Sequence, residues 1–331
     1  MALGAVSCVG ELRSGIELHD LAAEPVTGEG RAQLRLGLCC QFAEEPIKFR
    51  RTTAAANLRL TGHERLLKLS ELCRANAEAL QASLEYCASH GIGAFRILSQ
   101  ILPIKTHPEA GYEILDLPNG AEIRTLFQGC GRYASEAGIR LSFHPDQFVV
   151  LNSPNPATVA HSVEELEYQA EVAEWVGADT INVHGGGAYG DKGAALRSLQ
   201  SAIERLPERI RTRLTLENDN IFTTSDLLPV CFATGVPLVY DVHHHRCLPD
   251  GLSVEAATEQ ARATWDREPL FHVSSPLEGW DGPKPERHHD YIAWEDFPRS
   301  WLGWPLTVDV EAKAKELAVA RLRSALLEVP E

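Results

Sequence analysis

Leu214-Thr-Leu-Glu-Asn-Asp219 is a short run of strand type that stops on an acid, and the same pattern recurs along the chain. Upstream, Arg140-Leu-Ser-Phe-His-Pro-Asp-Gln147 and Ile181-Asn-Val-His-Gly-Gly-Gly187 run into His144 and His184. Downstream, Leu238-Val-Tyr-Asp-Val-His-His-His245 ends its strand on Asp241, Phe271-His-Val-Ser274 carries His272, and Val308-Asp-Val-Glu-Ala-Lys313 closes on Glu311. From His144 the successive steps are 40, 33, 24, 31 and 39 residues, each about one strand-plus-helix unit.

Working outward, eight runs of strand type are read at 34–38, 94–98, 140–143, 180–183, 213–216, 237–240, 270–273 and 306–310. Amphipathic stretches at 64–89, 121–136, 158–175, 196–206, 225–233, 254–264 and from 312 to about 327 separate or follow them. Eight strands, each followed by a helix and with no linker between them, predict a single-domain α/β fold, the closed (β/α)8 TIM barrel. The competing open doubly wound sheet is disfavoured because no G-x-G-x-x-G follows the first strand. Residues 33–331 are assigned to this catalytic domain, and residues 1–32, which lack periodicity, to a poorly ordered N-terminal extension. The long loops 39–61, 99–119 and 274–289 all follow strands, which in a barrel puts them on the face where active sites are built.

The 331 residues are 44% hydrophobic and 23% charged, the composition of a soluble globular protein. The net charge of −15 repels polyanions, so contact with nucleic acid requires a local basic patch or bound cations. No apolar run long enough to span a membrane occurs, and Glu11, Glu17, Asp20 and Glu24 stand where a secretory signal would be basic and then apolar. A cytoplasmic protein with no membrane partner and no evident obligate protein partner is expected. The eight cysteines form no C-x-x-C pair and are read as reduced and mostly buried. Thirteen histidines against one methionine is the unusual ratio, because His is the commonest metal ligand.

Six consecutive strand ends bearing His, Asp or Glu would converge at one rim. Carboxylates gathered there without cations would cost several kcal/mol per ion, which bound divalent metal offsets. A mixed imidazole and carboxylate set suits Zn2+, Mn2+ or Fe2+, and ligands from so many strands suit two or three ions. Such clusters clamp phosphate esters during in-line displacement, so the expected reaction is metal-assisted phosphodiester hydrolysis.

Other residues fit around that frame. His243 and His245 flank His244 and, in an extended segment, would point away from it as outer or surface groups. Gly185, Gly186 and Gly187 read as a tight turn or a phosphate cradle. Asp191 and Lys192 open the next helix, where the acid complements the dipole and Lys192 can reach substrate. Pro46-Ile-Lys-Phe-Arg-Arg-Thr52 carries three cations and an aromatic, which suits either a strand-contacting loop or a solvated charge run. Trp280, Trp294, Trp301 and Trp304 are read as packing residues.

His144-Pro-Asp-Gln147, His184-Gly-Gly-Gly-Ala-Tyr-Gly-Asp-Lys192, Leu216-Glu-Asn-Asp219, Asp241-Val-His-His244 and Val310-Glu-Ala-Lys-Ala-Lys315 together resemble the UV damage endonucleases, in order and with comparable spacing from about Arg35 to Glu316. The resemblance implies a TIM barrel related to the abasic-site endonucleases that nicks DNA 5′ to a photoproduct with a cluster of manganese ions. It implies the metal ligands His107, His144, His184, Glu217, Asp241, His244, His272, His288 and Glu311, with His289 the alternative to His288. The family usually has a Lys two positions before the seventh-strand His, reported to be carboxylated at the metal site, where this chain has Leu270. A first-strand Tyr and a Gln-Tyr pair that holds the duplex open correspond here to Leu38 and to Gln147 with Phe148.

The expected function is thus a metal-dependent DNA repair endonuclease acting on damaged double-stranded DNA, with Mn2+ as cofactor and Zn2+ or Fe2+ as alternatives. Glu217, Glu311 and Lys192 are the expected catalytic residues, and Leu38, Gln147, Phe148 and Asn218 the expected substrate contacts. The alternative is a metal-dependent TIM-barrel isomerase or epimerase of a small sugar, since the same barrel and ligand style serve that chemistry.

Overall fold

The computed structural model describes residues 34–328, so the expected extension at 1–32 lies outside the described residues. Eight strands, β1 (Leu34–Cys39), β2 (Ala94–Ile97), β3 (Arg140–Phe143), β4 (Thr180–His184), β5 (Leu214–Glu217), β6 (Leu238–Val239), β7 (Leu270–Val273) and β8 (Leu306–Val310), pair in parallel in the order β6-β5-β4-β3-β2-β1-β8-β7. The two ends of that order meet at an isolated parallel bridge between Asp241 and His272, where the His272 N–H donates to the Tyr240 carbonyl at 3.0 Å. The sheet therefore closes as the expected (β/α)8 barrel, and its seam falls on two of the expected metal ligands.

The helices are α1 (Ala54–Leu58), α2 (Gly62–Ser89), α3 (Gly120–Glu136), α4 (Pro156–Val176), α5 (Lys192–Glu204), α6 (Glu208–Arg211), α7 (Thr224–Thr234), α8 (Val242–Cys247), α9 (Val254–Arg262) and α10 (Glu316–Glu328). Their ends follow from local chemistry. Thr61 and Glu64 form a capping box that starts α2, and Thr223 with Asp226 does the same for α7. Asp191 caps α5 through the Ala194 N–H, so that helix begins at Lys192, earlier than the apolar period alone suggests. Gly177 and Gly235 end α4 and α7 in the left-handed conformation. Along α2, Leu69, Cys73, Leu80, Leu84 and Cys87 recur every three or four residues, or multiples of that spacing, and are buried against the barrel.

Three expectations are corrected here. No α-helix follows β7 among the described residues; 274–305 holds only 3-10 turns at Trp294–Asp296 and Arg299–Trp301. Five prolines and three glycines in that stretch remove amide donors and favour turns over a continuous helix. The last helix starts at Glu316 and not at 312, because Lys315 takes a left-handed backbone (φ 50°) before it. His243 and His245 lie in the short helix α8, capped by the Asp241 carboxylate on the His244 N–H, and both are buried. Their burial excludes the surface reading and leaves them as outer groups around the site, on a helix and not on an extended segment. The seven described cysteines are free, five of them buried, and Cys8 lies outside the described residues.

Glu316 ties the start of the barrel to its end. Its buried carboxylate accepts the N–H groups of Ala43 at 2.6 Å, Glu44 at 2.7 Å and Glu45 at 3.1 Å, fixing the loop after β1. Burial opposes ionisation of Glu316, but these amides prevail and hold it below its ordinary 4.5. A carboxylate held down in this way stabilises the fold above the unfolded-state pKa, and that stability is lost as the pH falls through the folded-state value. Glu316→Gln is expected to cost about 2 kcal/mol at neutral pH. The gap between variant and wild type should close in urea unfolding repeated at about pH 3.

Candidate metal centre

Parallel strands deliver their C-terminal ends to one rim, and the pleat turns every second residue inward, so 182 and 184, 215 and 217, and 309 and 311 share the barrel interior. At the centre stands Glu217, fully buried at the end of β5. Its Oε2 accepts from His144 Nε2 at 2.9 Å and from the Asn182 amide, and lies 3.7 Å from His184 Nε2. Its Oε1 lies 3.2 Å from His272 Nδ1 and 3.4 Å from His244 Nδ1. Asn182 is itself set by the Thr215 hydroxyl donating to its Oδ1 at 3.0 Å.

Three groups of potential ligand atoms each lie within 4.8 Å of one another: His144, His184 and Glu217; Glu217, Asp241 and His244; and Asp241, His272 and Glu311. They overlap through Glu217 and Asp241. Glu311 completes the wall beyond β8, ion-paired to Arg96 on β2 and 3.3 Å from His272 Nδ1. His288 approaches from the long loop after β7, with Nδ1 3.8 Å from Glu311 Oε2. The neighbouring His289 turns away, its Nδ1 accepting the Tyr291 N–H at 3.0 Å.

The electrostatics show how strongly the cluster attracts positive charge. Burial alone would discharge His272, yet Glu217 and Glu311 overcome it and raise its pKa to about 9. For His244, Asp241 and Glu217 likewise outweigh burial and bring it to about 10. Burial favours the neutral form of Glu217, but the surrounding imidazoles drive it well below the usual carboxylate range. His144 goes the other way, because burial prevails over the pull of Glu217 and lowers its pKa.

Several atoms here are buried without a hydrogen-bond partner among the described residues: Glu217 Oε1, Asp241 Oδ2 and both nitrogens of His272. Leaving buried acceptors unsatisfied costs about 1–3 kcal/mol each. Of these, Glu217 Oε1, Asp241 Oδ2 and His272 Nδ1 face one another at the seam of the three groups, and a mixed N and O donor set of this kind fits a divalent transition metal. The residues fit the ions that the sequence implies.

The remaining site residues divide. His107 has Nδ1 taken by the N–H groups of Glu109 and Ala110, both at 3.2 Å, and no hydrogen bond or ion pair joins it to the other eight among the described residues. Leu270 is buried in β7 and offers no ligand. Lys192 pairs with Asp226 at 2.8 Å while its Nζ sits 5.7 Å from the centre of the Phe222 ring. Gln147 and Phe148 project from the loop after β3, Phe148 being 76% exposed.

Two expected substrate contacts are corrected. Leu38 is fully buried in the apolar core and has no surface to offer a duplex. Asn218 is also fully buried, its Nδ2 donating to the Asp241 carbonyl at 2.8 Å and its Oδ1 accepting the Asp241 N–H at 2.9 Å. Its side chain positions a ligand strand and is not free for substrate.

Sequence reading passed over three groups. Arg96 and Asn182 lie on inward positions that the two-residue strand period marks, although neither is a metal-ligand type. Asp219 stands two residues past Glu217; its Oδ2 is 3.2 Å from His184 Nδ1, and its Oδ1 accepts the N–H groups of Ile221 and Phe222. A carboxylate on the outer nitrogen of a ligand histidine is the usual support for such a ring.

The sequence pattern described as UV-endonuclease UvdE matches residues 34–331. A Deinococcus radiodurans protein named UV DNA damage endonuclease is 36% identical over 316 residues, spanning 90% of this chain and 97% of the relative. The crystal structure of SacUVDE superposes over 89% of this chain and 100% of its own, with a TM-score of 0.79 and 28% identity. Endonuclease IV from Thermus thermophilus shares the fold over 89% of this chain and 99% of that one, with a TM-score of 0.58 and 17% identity. With a match that runs the whole length of the barrel and a relative above 30% identity, the chain belongs to the UV-endonuclease UvdE family.

Proposed function

We propose that this chain is a metal-dependent DNA repair endonuclease that hydrolyses a phosphodiester 5′ to a UV photoproduct or a related lesion such as an abasic site. The observation that carries this reading is the set of orphaned, buried atoms on Glu217, Asp241 and His272 at the rim of the barrel. The names of the relatives direct the choice of substrate, and a single domain, 33–331, would carry the activity in the cytoplasm.

His107, His144, His184, Glu217, Asp241, His244, His272, His288 and Glu311 would hold two or three ions, Mn2+ first and Zn2+ or Fe2+ as alternatives. When bound, such ions polarise a phosphate and acidify water. Glu217, Glu311, His107 and His144 would be among the residues that hold them. Lys192, at the N-terminal end of α5 and partly exposed, would offset charge developing on the phosphate. Gln147 would hydrogen-bond to the opened duplex, and the bare Phe148 ring would stack on or wedge beside a base.

Net charge opposes DNA binding, so the local pattern matters. Lys48, Arg50 and Arg51 all point outward from the loop after β1 and make no ion pair among the described residues. Buried Asn76 holds that loop by accepting the Arg50 N–H at 2.6 Å and donating to its carbonyl at 3.0 Å. An unpaired basic edge beside the rim suits a phosphate backbone. The sugar isomerase alternative has no use for such an edge.

Duplex oligonucleotides carrying one photoproduct or one abasic site, incubated with Mn2+, should be cut once, immediately 5′ to the lesion. Glu217→Gln should lower that rate by more than about a hundredfold, since removal of a ligand's mere support already costs up to that much. Its circular dichroism spectrum should stay that of the wild type; cleavage retained by the folded variant refutes catalysis at this cluster. Activity on a free sugar without salt-sensitive DNA binding would establish the alternative instead.

Phe148→Ala should weaken binding to lesion DNA by about 1–3 kcal/mol while leaving Mn2+ affinity unchanged. Fluorescence anisotropy on damaged and undamaged duplexes reads the difference.

A further inference from the structure

Asp309 lies in the middle of β8, two residues before Glu311, and so on the same inward face. It is fully buried, yet neither carboxylate oxygen has a hydrogen-bond partner among the described residues. Its place is built from two strands. Gly37 faces it in register on β1, and a Cβ at Gly37 would stand 2.1 Å from Asp309 Oδ1. Any larger residue at 37 would occupy the space that the carboxylate fills.

An isolated buried carboxylate is costly, and apolar residues could fill the same volume. Of the cations that act on this carboxylate, Arg96 and His272 foremost, only His272 comes within 4 Å. Asp309 Oδ2 lies 3.8 Å from His272 Nε2, an atom that also lacks a hydrogen-bond partner. The other ring nitrogen, Nδ1, faces the cluster, 3.2 Å from Glu217 Oε1, 3.3 Å from Glu311 Oε1 and 3.9 Å from Asp241 Oδ2. The imidazole is thus held between a ligand side and a carboxylate side. Histidines that bind metal donate the remaining ring N–H to such a partner, which sets the tautomer and aims the ring.

We propose that Asp309 is the positioning residue for His272: its carboxylate accepts the Nε2–H and thereby presents Nδ1, without a proton, to the metal cluster. The inference rests on the metal reading of the site given above. Among the described residues the Asp309 carboxylate makes no hydrogen bond, and its one ion pair is with His272, so its effect passes through the His272 ring.

Calorimetric titration of the full chain with Mn2+, alongside unfolding of the metal-free protein, tests this with Asp309→Leu and Asp309→Asn. Asp309→Leu should bind Mn2+ some 10–100-fold more weakly, while its metal-free form still unfolds cooperatively, so that the loss is one of ring placement and not of fold. Asp309→Asn keeps an acceptor oxygen and should recover most of the affinity. A folded Asp309→Leu protein with wild-type Mn2+ affinity overturns the inference.

If Asp309→Leu does not fold, the wild-type protein decides by itself. Loaded with Zn2+ and labelled at histidine nitrogen, it should show His272 protonated at Nε2 in long-range nitrogen–proton NMR correlations; a proton on Nδ1 overturns the proposal. A wild-type chain that takes up neither Mn2+ nor Zn2+ refutes the metal reading and this inference with it. Metal uptake indifferent to Asp309 refutes the inference alone.

Discussion

Three carboxylates, Glu217, Asp241 and Glu311, gather at one end of a closed barrel, with Glu217 and Asp241 fully buried. Like charges in so dry a space repel strongly, and each ion removed from water carries a penalty of several kcal/mol. Everything around them answers that constraint. Arg96 is committed to Glu311, the Asn182 amide to Glu217, and Asn218 pins the Asp241 backbone from both sides. The imidazoles of His244 and His272 hold protons far above their ordinary range because the carboxylates demand compensating charge. Protons and divalent cations compete for the same atoms, so a site that keeps imidazoles charged is also one that favours metal once those protons leave.

Fold and site are not separable here. The last strand pair of the barrel meets through the backbone at Asp241 and His272, the residues whose side chains also face the cluster. A shift of that seam would move both candidate ligands. The same economy holds on the other side, where Glu316 ties the loop after β1 to the start of α10 just beyond Glu311. The rim is thereby fixed by side chains that lie within a few residues of the candidate ligands.

Much of this arrangement was legible in the chain because a parallel barrel converts sequence spacing into position. A His, Asp or Glu at the end of each strand must reach the same rim, so His144, His184, Glu217, Asp241, His272 and Glu311 could be grouped from their intervals alone. What escaped was set by contacts across strands. Nothing in Leu216-Glu-Asn-Asp219 says that Asn218 turns to the backbone of the next strand while Asp219 turns back to His184. Nor does the run of three histidines announce a helix; that follows from Asp241, which caps α8 with its side chain while facing the cluster. The lack of a helix after β7 among the described residues is written in its prolines and glycines, which outweigh the regularity of the earlier units.

The net charge of −15 sits oddly with a polyanionic substrate until its distribution is considered. Long-range repulsion is screened beyond about 8–10 Å at ordinary ionic strength, so the protein at large matters less than what lies within that distance of the phosphate. At the rim, Glu217, Asp241 and Glu311 are turned inward, where cations would neutralise them, while Lys48, Arg50, Arg51 and the exposed Phe148 lie on the outside together with the exposed acids Glu44 and Asp146. An acidic body then has a use: it disfavours adsorption along undamaged duplex, which relies on charge alone. On the proposed function, binding would be left to places where the basic edge, the loaded metal cluster and an opened base can all engage together, and the bulk charge would then contribute to selectivity.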